Sequence, residues 1–283
     1  MTAHCPQVYL LNDTSSVHAG SRAVIRALEH AMADASIVGR HFVNTFTLDE
    51  AAWARSDTVL VNGEGSVHHD QRSGRFLLEA LRRAQREGRR TLLANSIFQQ
   101  IPPYFPEVLS HLDHFSVRET LSAANARLSG GAPLLMLDAC AAHVRSSAPV
   151  AATRQLAPIV VGYQHDGANL GFKLTELGFP YYGLDDDFLE IVANLRTTRL
   201  YITGQHHGIY AAGLAGIPFI AVPSNSHKIE GLIDWCGLPL PLCRTPAEIL
   251  DWVPRIERMG EVFRAFHEFI LHQPVFGREH LWN

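Results

Sequence analysis

The chain has few cysteines, few charges and no long apolar run, and each shortage argues against a class of protein. Its four cysteines are Cys5, Cys140, Cys236 and Cys243. None forms a CxxC pair, which speaks against a zinc knuckle or a dense disulfide scaffold and favours a reduced, cytoplasmic protein. Charged residues make up 18% of the chain and the formal net charge is −4. The basic face that nucleic-acid partners need is therefore not expected.

Membrane insertion and secretion are not expected either. No apolar run reaches the roughly 18 residues that a membrane helix needs. The N-terminal sequence MTAHCPQVYLLNDTSS has neither the basic region nor the long apolar region of a signal peptide. We therefore expect no transmembrane segment, so that any association with membrane assembly machinery would be peripheral.

Short apolar runs alternate with amphipathic stretches along the whole chain. The runs are QVYLL (7–11), TVLV (58–61), TLLA (91–94), HFSV (114–117), PLLML (133–137), PIVVG (158–162), RLYIT (199–203) and PFIAV (218–222). They are continuous, as is typical of strands that a parallel sheet buries on both faces. Helical patterns lie between them, for example over 24–32 and 76–84. This alternation predicts an α/β fold.

The sequence also predicts two domains. The stretch 145–157, RSSAPVAATRQLA, has no periodic pattern and is rich in Ser, Ala, Pro and Thr. We place the boundary there, which gives two Rossmann-like domains over 1–150 and 151–283. The last amphipathic segment, 256–273, is expected to be a helix that packs on this scaffold rather than on a membrane surface.

Two motifs follow early strands. NDTSSVHAGS (12–21) offers Asp13, Ser15 and His18, either as a helix cap or as a ligand site at a strand end. VNGEGSVHHD (61–70) places Glu64 between Gly63 and Gly65. A carboxylate in such a turn either points into solvent or meets a substrate as a general acid or base.

Two further side chains in the first half stand at predicted strand ends. Asp138 closes the apolar run LLML, and either caps the next helix or takes part in chemistry. With Glu64 it would form the carboxylate pair that glycosyl transfer uses. Arg118, in SVRET, suits a carboxylate or a phosphate, and a structural salt bridge with a neighbouring domain is the equal alternative.

In the second half of the chain, three predicted turns after strands carry candidate site residues. GYQHDG (162–167) presents His165. TGQHHG (203–208) and SNSHK (224–228) each stand between a strand and a helix, so their free backbone N–H groups can receive a phosphate or carboxylate. The candidate donor-binding residues here are Gln205, His206, His207, Gly208, Ser224, Asn225, Ser226 and Lys228.

Metal binding is the weaker interpretation of the histidine and aspartate clusters. Adjacent side chains, as in His68–Asp70, seldom point at one ion. The three aspartates of LDDDF (184–188) precede a helical run, and capping explains them. We therefore expect no metal and no other cofactor.

The order of these motifs resembles the polysaccharide pyruvyl transferase superfamily. The matching pieces are NDTSSVHAGS, NGEGS, SVRET and TGQHHGIYAAGLAGIPFIAVPSNSHKIEGL, spread over about residues 10–237. The resemblance implies a GT-B arrangement of two domains with the active site in the cleft, the first domain carrying the acceptor and catalytic groups and the second binding the donor. Pyruvyl transferases of this superfamily use phosphoenolpyruvate and typically carry Arg-x-His where this chain has Gln205 before His206.

The missing Arg moves the expected donor toward the branch of retaining Kdo transferases, which use CMP-Kdo. That branch pairs a Glu in a glycine turn with a later Asp that forms a covalent sugar adduct, similar in context to Glu64 and Asp138. The resemblance thus implies a metal-independent glycosyltransferase acting on a bacterial surface polysaccharide or lipopolysaccharide. Asp138 would be the nucleophile, Glu64 would assist proton transfer, and His165 and Arg118 would contact the donor. Phosphoenolpyruvate as donor, or a non-catalytic nucleotide- or glycan-binding subunit, are the alternatives.

Overall fold

A computed structural model of the chain describes residues 5–102 and 106–282. The strands are β1 (Gln7–Asp13), β2 (Ser36–Phe42), β3 (Thr58–Asn62), β4 (Arg90–Ser96), β5 (His114–Val117), β6 (Leu134–Leu135), β7 (Ile159–Val161), β8 (Leu200–Thr203) and β9 (Phe219–Ala221). The helices are α1 (Ala19–Ala31), α2 (Glu50–Arg55), α3 (Arg72–Arg86), α4 (Pro106–Ser110), α5 (Thr120–Leu128), α6 (Ala139–Ser146), α7 (Phe188–Leu195), α8 (His206–Ala215), α9 (Lys228–Cys236), α10 (Pro246–Trp252), α11 (Gly260–His272) and α12 (Glu279–Trp282). Among these helices none combines the length and the apolarity that crossing a bilayer requires.

The chain divides into two compact units. Unit 1 comprises Met1–Val17, Val24–Ala139 and Pro274–Asn283, and unit 2 comprises His18–Ala23 and Cys140–Gln273. The boundary predicted near residue 150, and the catalytic and donor-binding roles given to the two domains, stay predictions.

Unit 1 is built on a parallel sheet. Within the described residues its strand order is β2-β1-β3-β4-β5-β6. The side chains of β1 and β3 are almost wholly buried, because helices cover both faces of a parallel sheet. The chain leaves β1 in one direction to form β2 and then crosses to the other side of β1 to form β3. The carboxyl ends of β1 and β3 therefore border the crevice in which such sheets bind ligands.

The sequence analysis missed β2 and overestimated β6. β2 lies at an edge of the sheet, next to β1. Only one of its seven residues is buried, so the strand needs no continuous apolar run. β6 lies at the opposite edge and pairs with β5 over Leu134 and Leu135 alone. The expected strand over 133–137 is wrong in length because Leu137 donates instead to the carbonyl of Pro274.

Unit 2 contains a smaller parallel sheet, which has the order β7-β8-β9 within the described chain. The predicted C-terminal helix is present as α11, preceded by a 3-10 turn over Ile256–Met259. Phe263 and Phe266 pack edge-on against Phe219 of β9, with ring centroids 5.4 and 5.2 Å apart. The helix therefore packs on the sheet of unit 2, as the sequence predicted.

Segments that looked irregular or acidic in the sequence have structural roles in unit 2. Residues 147–158 form no helix or strand. The backbone N–H groups of Thr153 and Arg154 donate to the side chain of buried Asn194 at 2.8 and 2.9 Å. In LDDDF, Asp187 caps α7 by accepting from the N–H of Leu189 at 3.0 Å, as the capping interpretation expected.

Candidate functional site

The ends of β1 and β3 hold a buried polar network around Glu64. The hydroxyl of Thr14 donates to Glu64 Oε2 at 2.6 Å. Asn62 Nδ2 donates to the Thr14 hydroxyl at 3.1 Å, and Asn12 Nδ2 donates to the carbonyl of Asn62 at 2.7 Å. Glu64 is 6% exposed, so these bonds hold its carboxylate in one place at the crevice of unit 1.

The turn around Glu64 has the geometry that its glycines suggested. Gly65 has a φ of +62°, a left-handed conformation that few other residues adopt without strain. Gly63 continues the sheet by donating to the carbonyl of Ala94 at 2.8 Å. His68 supports the turn, because its Nε2 lies 3.0 Å from the carbonyl oxygen of Gly65. Asp70, grouped with the histidines in the sequence, pairs instead with Arg75.

The other side chains of the first motif have separate surroundings. Asp13 is buried, and its carboxylate accepts from Arg40 at 2.9 Å and from the N–H of Ser15 at 2.9 Å. His18 belongs to unit 2, where its Nδ1 accepts from the N–H of Ser21 at 3.1 Å. Arg40 is a partner of Asp13 that the sequence analysis did not identify, since it lies on the missed strand β2.

Arg118 and Asp138 form a buried ion pair. They follow β5 and β6, at the carboxyl edge of the sheet in unit 1. Arg118 is 2% exposed and Asp138 is fully buried. Arg118 Nη1 donates to Asp138 Oδ2. The sequence placed both residues at strand ends without pairing them, because nothing in their spacing shows that β5 and β6 are neighbours.

In unit 2, the three turns predicted as donor-binding follow adjacent strands. Gly204, in the middle turn, donates to the carbonyl of Tyr163 at 2.9 Å. A Cβ on Gly204 would lie 2.8 Å from Val222 Cγ2 and 3.4 Å from Gln164 Cα. The turns after β7, β8 and β9 are thus packed together at one edge of the sheet.

His165 stands in the first of these turns. Its Nδ1 accepts from the N–H of Gly167 at 3.0 Å, so the neutral ring carries its proton on Nε2. Burial lowers the pKa of His165 below its ordinary value, and the charge of Lys228 lowers it further, while Asp166 opposes both. The ring is therefore a neutral hydrogen-bond donor at physiological pH.

Helix α8 begins at His206, in the second turn. Gln205 occupies the N-cap position with an extended backbone and makes no capping bond with its side chain. Gln205 Oε1 is buried and has no hydrogen-bond partner among the described residues. Gly208 lies in the first turn of the helix, whose leading N–H groups have no carbonyl partner within the helix. The sequence expectation that a helix starts here is confirmed.

The third turn precedes α9. Lys228 Nζ donates to Asn225 Oδ1 at 2.6 Å, and the Ser224 hydroxyl lies 3.4 Å from the same oxygen. Ser226 is 7% exposed, and its hydroxyl has no partner within the part of the chain that the structure covers. Lys228 thus binds Asn225, and its charge acts on His165.

The two histidines of TGQHHG are both buried, at 1% and 4% exposure. His206 packs edge-on against Tyr210, with ring centroids 5.0 Å apart. His207 packs edge-on against His18 at 5.0 Å. The side chain of His207 also covers Gly20, where a Cβ would lie 2.4 Å from its Cγ. Gly20 is therefore required for the approach of His207 to His18.

We expect Gly20→Ala to destabilise the protein by about 1–3 kcal/mol, because the new methyl group collides with the ring of a buried histidine. Urea denaturation measures the effect. Gly260→Ala is the matched control, since Gly260 begins α11 and a Cβ there meets no described atom within 4 Å beyond its chain neighbours and the backbone of its own helix. A Gly20 variant as stable as the Gly260 variant would contradict the predicted collision.

Comparison with known proteins gives the fold class. No family model matches the chain, and no curated protein matches it. A Listeria monocytogenes protein assigned provisionally as a UDP-N-acetylglucosamine 2-epimerase has a TM-score of 0.60 at 11% identity, covering 97% of this chain and 93% of its own. Arabidopsis thaliana UGT89C1, complexed with UDP-L-rhamnose, has a TM-score of 0.57 at 8% identity, covering 95% and 94%.

A third structure is UDP-GlcNAc 2-epimerase from Neisseria meningitidis bound to UDP-GlcNAc, with a TM-score of 0.53 at 8% identity, covering 96% of this chain and 95% of that one. At such low identity the likeness concerns the fold alone. The predicted fold class is confirmed: the chain has an α/β, GT-B-like fold.

Proposed function

We propose that the protein is a glycosyltransferase that uses a nucleotide-activated sugar, and that unit 2 binds the nucleotide. The observation that carries this proposal is the set of packed turns after β7, β8 and β9, in which some buried polar atoms have no hydrogen-bond partner among the described residues. Gln205 Oε1 and the Ser226 hydroxyl are such atoms. A buried polar group without a partner costs about 1–3 kcal/mol, and a bound ligand would recover that cost.

The same turns have the chemistry of an anion site. The first N–H groups of α8 can donate to a phosphate, because Gln205 does not cap them with its side chain. Lys228 adds a positive charge, and His165 adds a neutral Nε2–H donor. Gln205 Oε1 is an acceptor and suits a ribose hydroxyl or a base N–H rather than a phosphate oxygen. Donors and acceptors together favour a nucleotide over an isolated phosphate.

Unit 1 supplies the reacting groups of this proposal. Asp138 would attack the anomeric carbon and form a covalent sugar adduct as the nucleotide leaves, and the acceptor hydroxyl would then displace the aspartate. Glu64 would take the proton of that hydroxyl. Arg118 orients the Asp138 carboxylate through their ion pair. Two successive displacements retain the configuration of the sugar.

CMP-Kdo or a related CMP-ulosonic acid is the proposed donor, and a bacterial surface glycan is the proposed acceptor. The absence of an Arg beside His206 supports this donor over phosphoenolpyruvate, since pyruvyl transferases typically carry one. The structures that share the fold support a nucleotide sugar in general, because two of them hold UDP-GlcNAc and UDP-L-rhamnose. No metal or cofactor takes part in the proposed reaction.

A ligand panel tests the proposal. CMP, CMP-Kdo, UDP-GlcNAc and phosphoenolpyruvate are each added at saturating concentration, and unfolding is followed by heating. A ligand at 100 times its Kd stabilises the native state by about 2.7 kcal/mol. We expect that shift with CMP and CMP-Kdo, followed by CMP release when a glycan acceptor is present. Stabilisation by phosphoenolpyruvate alone would overturn the donor, and CMP binding without transfer would overturn the enzymatic role.

Ser226→Ala is expected to separate ligand binding from stability. The variant loses a hydroxyl that has no hydrogen-bond partner in the described part of the chain, so the free energy of unfolding without ligand should stay the same or rise slightly. Its Kd for CMP should rise roughly 5- to 10-fold, because one neutral hydrogen bond is lost. Ser146→Ala is the control, as Ser146 is exposed and its hydroxyl donates to the nearby carbonyl of His143. An unchanged Kd in Ser226→Ala would place the nucleotide elsewhere.

A further inference from the structure

Three asparagines lie side by side at the carboxyl edge of the sheet in unit 1. Asn12 belongs to β1, Asn62 ends β3 and Asn95 is the next-to-last residue of β4. Their strands are adjacent, in the order β1-β3-β4. All are at most 3% exposed, so each side-chain amide must find its hydrogen bonds inside the protein or with a ligand.

The amides of Asn12 and Asn62 find theirs in the protein. Asn12 Nδ2 donates to the carbonyl of Asn62 at 2.7 Å and to the Ser66 hydroxyl at 3.0 Å. Asn62 Nδ2 donates to the Thr14 hydroxyl, and Asn62 Oδ1 accepts from the N–H of Glu64 at 3.2 Å. These two asparagines therefore belong to the network that holds Glu64.

Asn95 differs from its neighbours. Its Oδ1 accepts from the N–H of Ala139, the residue after Asp138, at 3.0 Å. This bond fixes the orientation of the amide, because rotating it by half a turn would bring two N–H donors together. Nδ2 then points away from Ala139, and it has no hydrogen-bond partner among the described residues.

Two costs coincide at this residue. A buried amide donor without a partner costs about 1–3 kcal/mol. Asn95 also has a φ of +57°, a left-handed backbone conformation that is costly for a residue other than glycine. The strand order puts its strand between β3, which leads to Glu64, and β5, which leads to Arg118. Asp138 follows β6, the neighbour of β5. Along the sheet, Asn95 therefore lies between Glu64 and Asp138, the two carboxylates to which the proposed reaction assigns roles.

We propose that Asn95 is a substrate-binding residue, whose Nδ2 donates a hydrogen bond to an acceptor oxygen of the bound sugar, a hydroxyl or a carboxylate, beside Asp138. This inference rests on the proposed function and adds to it a contact that the sequence motifs did not contain. The same side chain holds the backbone at Asp138 through Oδ1, so that one residue aligns the sugar with the proposed nucleophile.

Two substitutions separate the two halves of this amide. Asn95→Asp keeps the acceptor for Ala139 and the tolerance for positive φ, but replaces the Nδ2 donor by an oxygen. Asn95→Gly keeps the backbone conformation and removes both the Oδ1 acceptor and the Nδ2 donor. We expect kcat/KM for sugar transfer from CMP-Kdo to fall roughly 10- to 100-fold in both variants. Asn44→Asp is the matched control, since Asn44 is exposed and has a φ of +65°, and it should keep wild-type activity.

The outcomes are distinct. Wild-type activity in Asn95→Asp, with a loss in Asn95→Gly, would show that the side chain only holds Ala139, and would overturn the proposal. If Asn95→Asp does not fold, the side-chain NH2 signal of Asn95 in the wild-type protein is followed by NMR during titration with CMP-Kdo, after assignment with Asn95→Gly. A signal that does not shift while the sugar binds would overturn the proposal as well.

Failure of the proposed function gives a different result. In that case the wild-type protein transfers no sugar from CMP-Kdo or UDP-GlcNAc, and the assignment of Asn95 is judged from a high-resolution crystal structure without ligand. A protein atom hydrogen-bonded to Nδ2 would overturn it. An Nδ2 bonded only to solvent, or to nothing, would support it.

Discussion

Asp138→Asn is expected to lower sugar transfer at least about 1,000-fold and to destabilise the protein by about 3–5 kcal/mol. The first effect follows from losing the carboxylate that the proposed mechanism uses as nucleophile. The second follows from the ion pair, because Arg118 is 2% exposed and its buried charge would lose the carboxylate of Asp138. Steady-state kinetics and urea denaturation measure the two effects on the same preparation.

A double variant separates them. Arg118→Met with Asp138→Leu replaces the buried pair by apolar side chains of similar size, a change that is often neutral or stabilising. We expect it to recover the stability lost in Asp138→Asn while transfer stays abolished. Recovery of transfer in the double variant, or an unchanged kcat in Asp138→Asn, would mean that Asp138 is a structural residue and that another group attacks the sugar.

Acidification is expected to cost the protein about 3 kcal/mol of stability through His114 alone. His114 is buried at the start of β5, with its ring centroid 5.0 Å from that of Phe276 and 5.4 Å from that of His280. Burial, together with the charges of His280 and Arg90, lowers its pKa to about 4. The unfolded chain takes up the proton near pH 6.5 and the folded protein only near 4. Stability therefore falls as the pH falls through this window and levels off below it.

His114→Phe tests the assignment. Phenylalanine keeps an aromatic ring beside Phe276 and cannot be protonated. The loss of stability between pH 7.5 and 4.5, measured by urea denaturation, should therefore be about 2.5 kcal/mol smaller in this variant than in the wild type. Some pH dependence will remain, since burial also lowers the pKa of His41 and His165. His111→Phe, at an exposed histidine, should keep the wild-type pH dependence. Parallel losses in wild type and His114→Phe would contradict the assignment.

Most of the scaffold could be predicted because burial leaves a local pattern. Strands such as β3 and β8 are covered on both faces, and their sequences are continuous apolar runs for that reason. β2 left no such pattern, because an edge strand with one buried residue tolerates Arg40 and other polar side chains. The start of α8 at His206 was predictable from the change of pattern after RLYIT.

The candidate site was only partly predictable. Turns after strands were predicted to carry functional residues, and in the structure they do lie at the carboxyl edges of the two sheets. The pairing of Arg118 with Asp138 depends on β5 and β6 being neighbours, which no local pattern encodes. Asn95 was not singled out at all, since one asparagine after an apolar run looks like any other turn residue.

What the sequence determined by itself is therefore local: which stretches become strands, where helices begin, and which turns carry polar side chains. Hydrophobic periodicity and turn chemistry act over a few neighbouring residues, so both can be recognised in the sequence itself. The tertiary structure decided which of those side chains meet, as when Thr14 reaches Glu64 and Ala139 reaches Asn95. Such contacts join residues about 50 positions apart, and only the order of strands in the sheet, which burial of the whole core selects, brings them together.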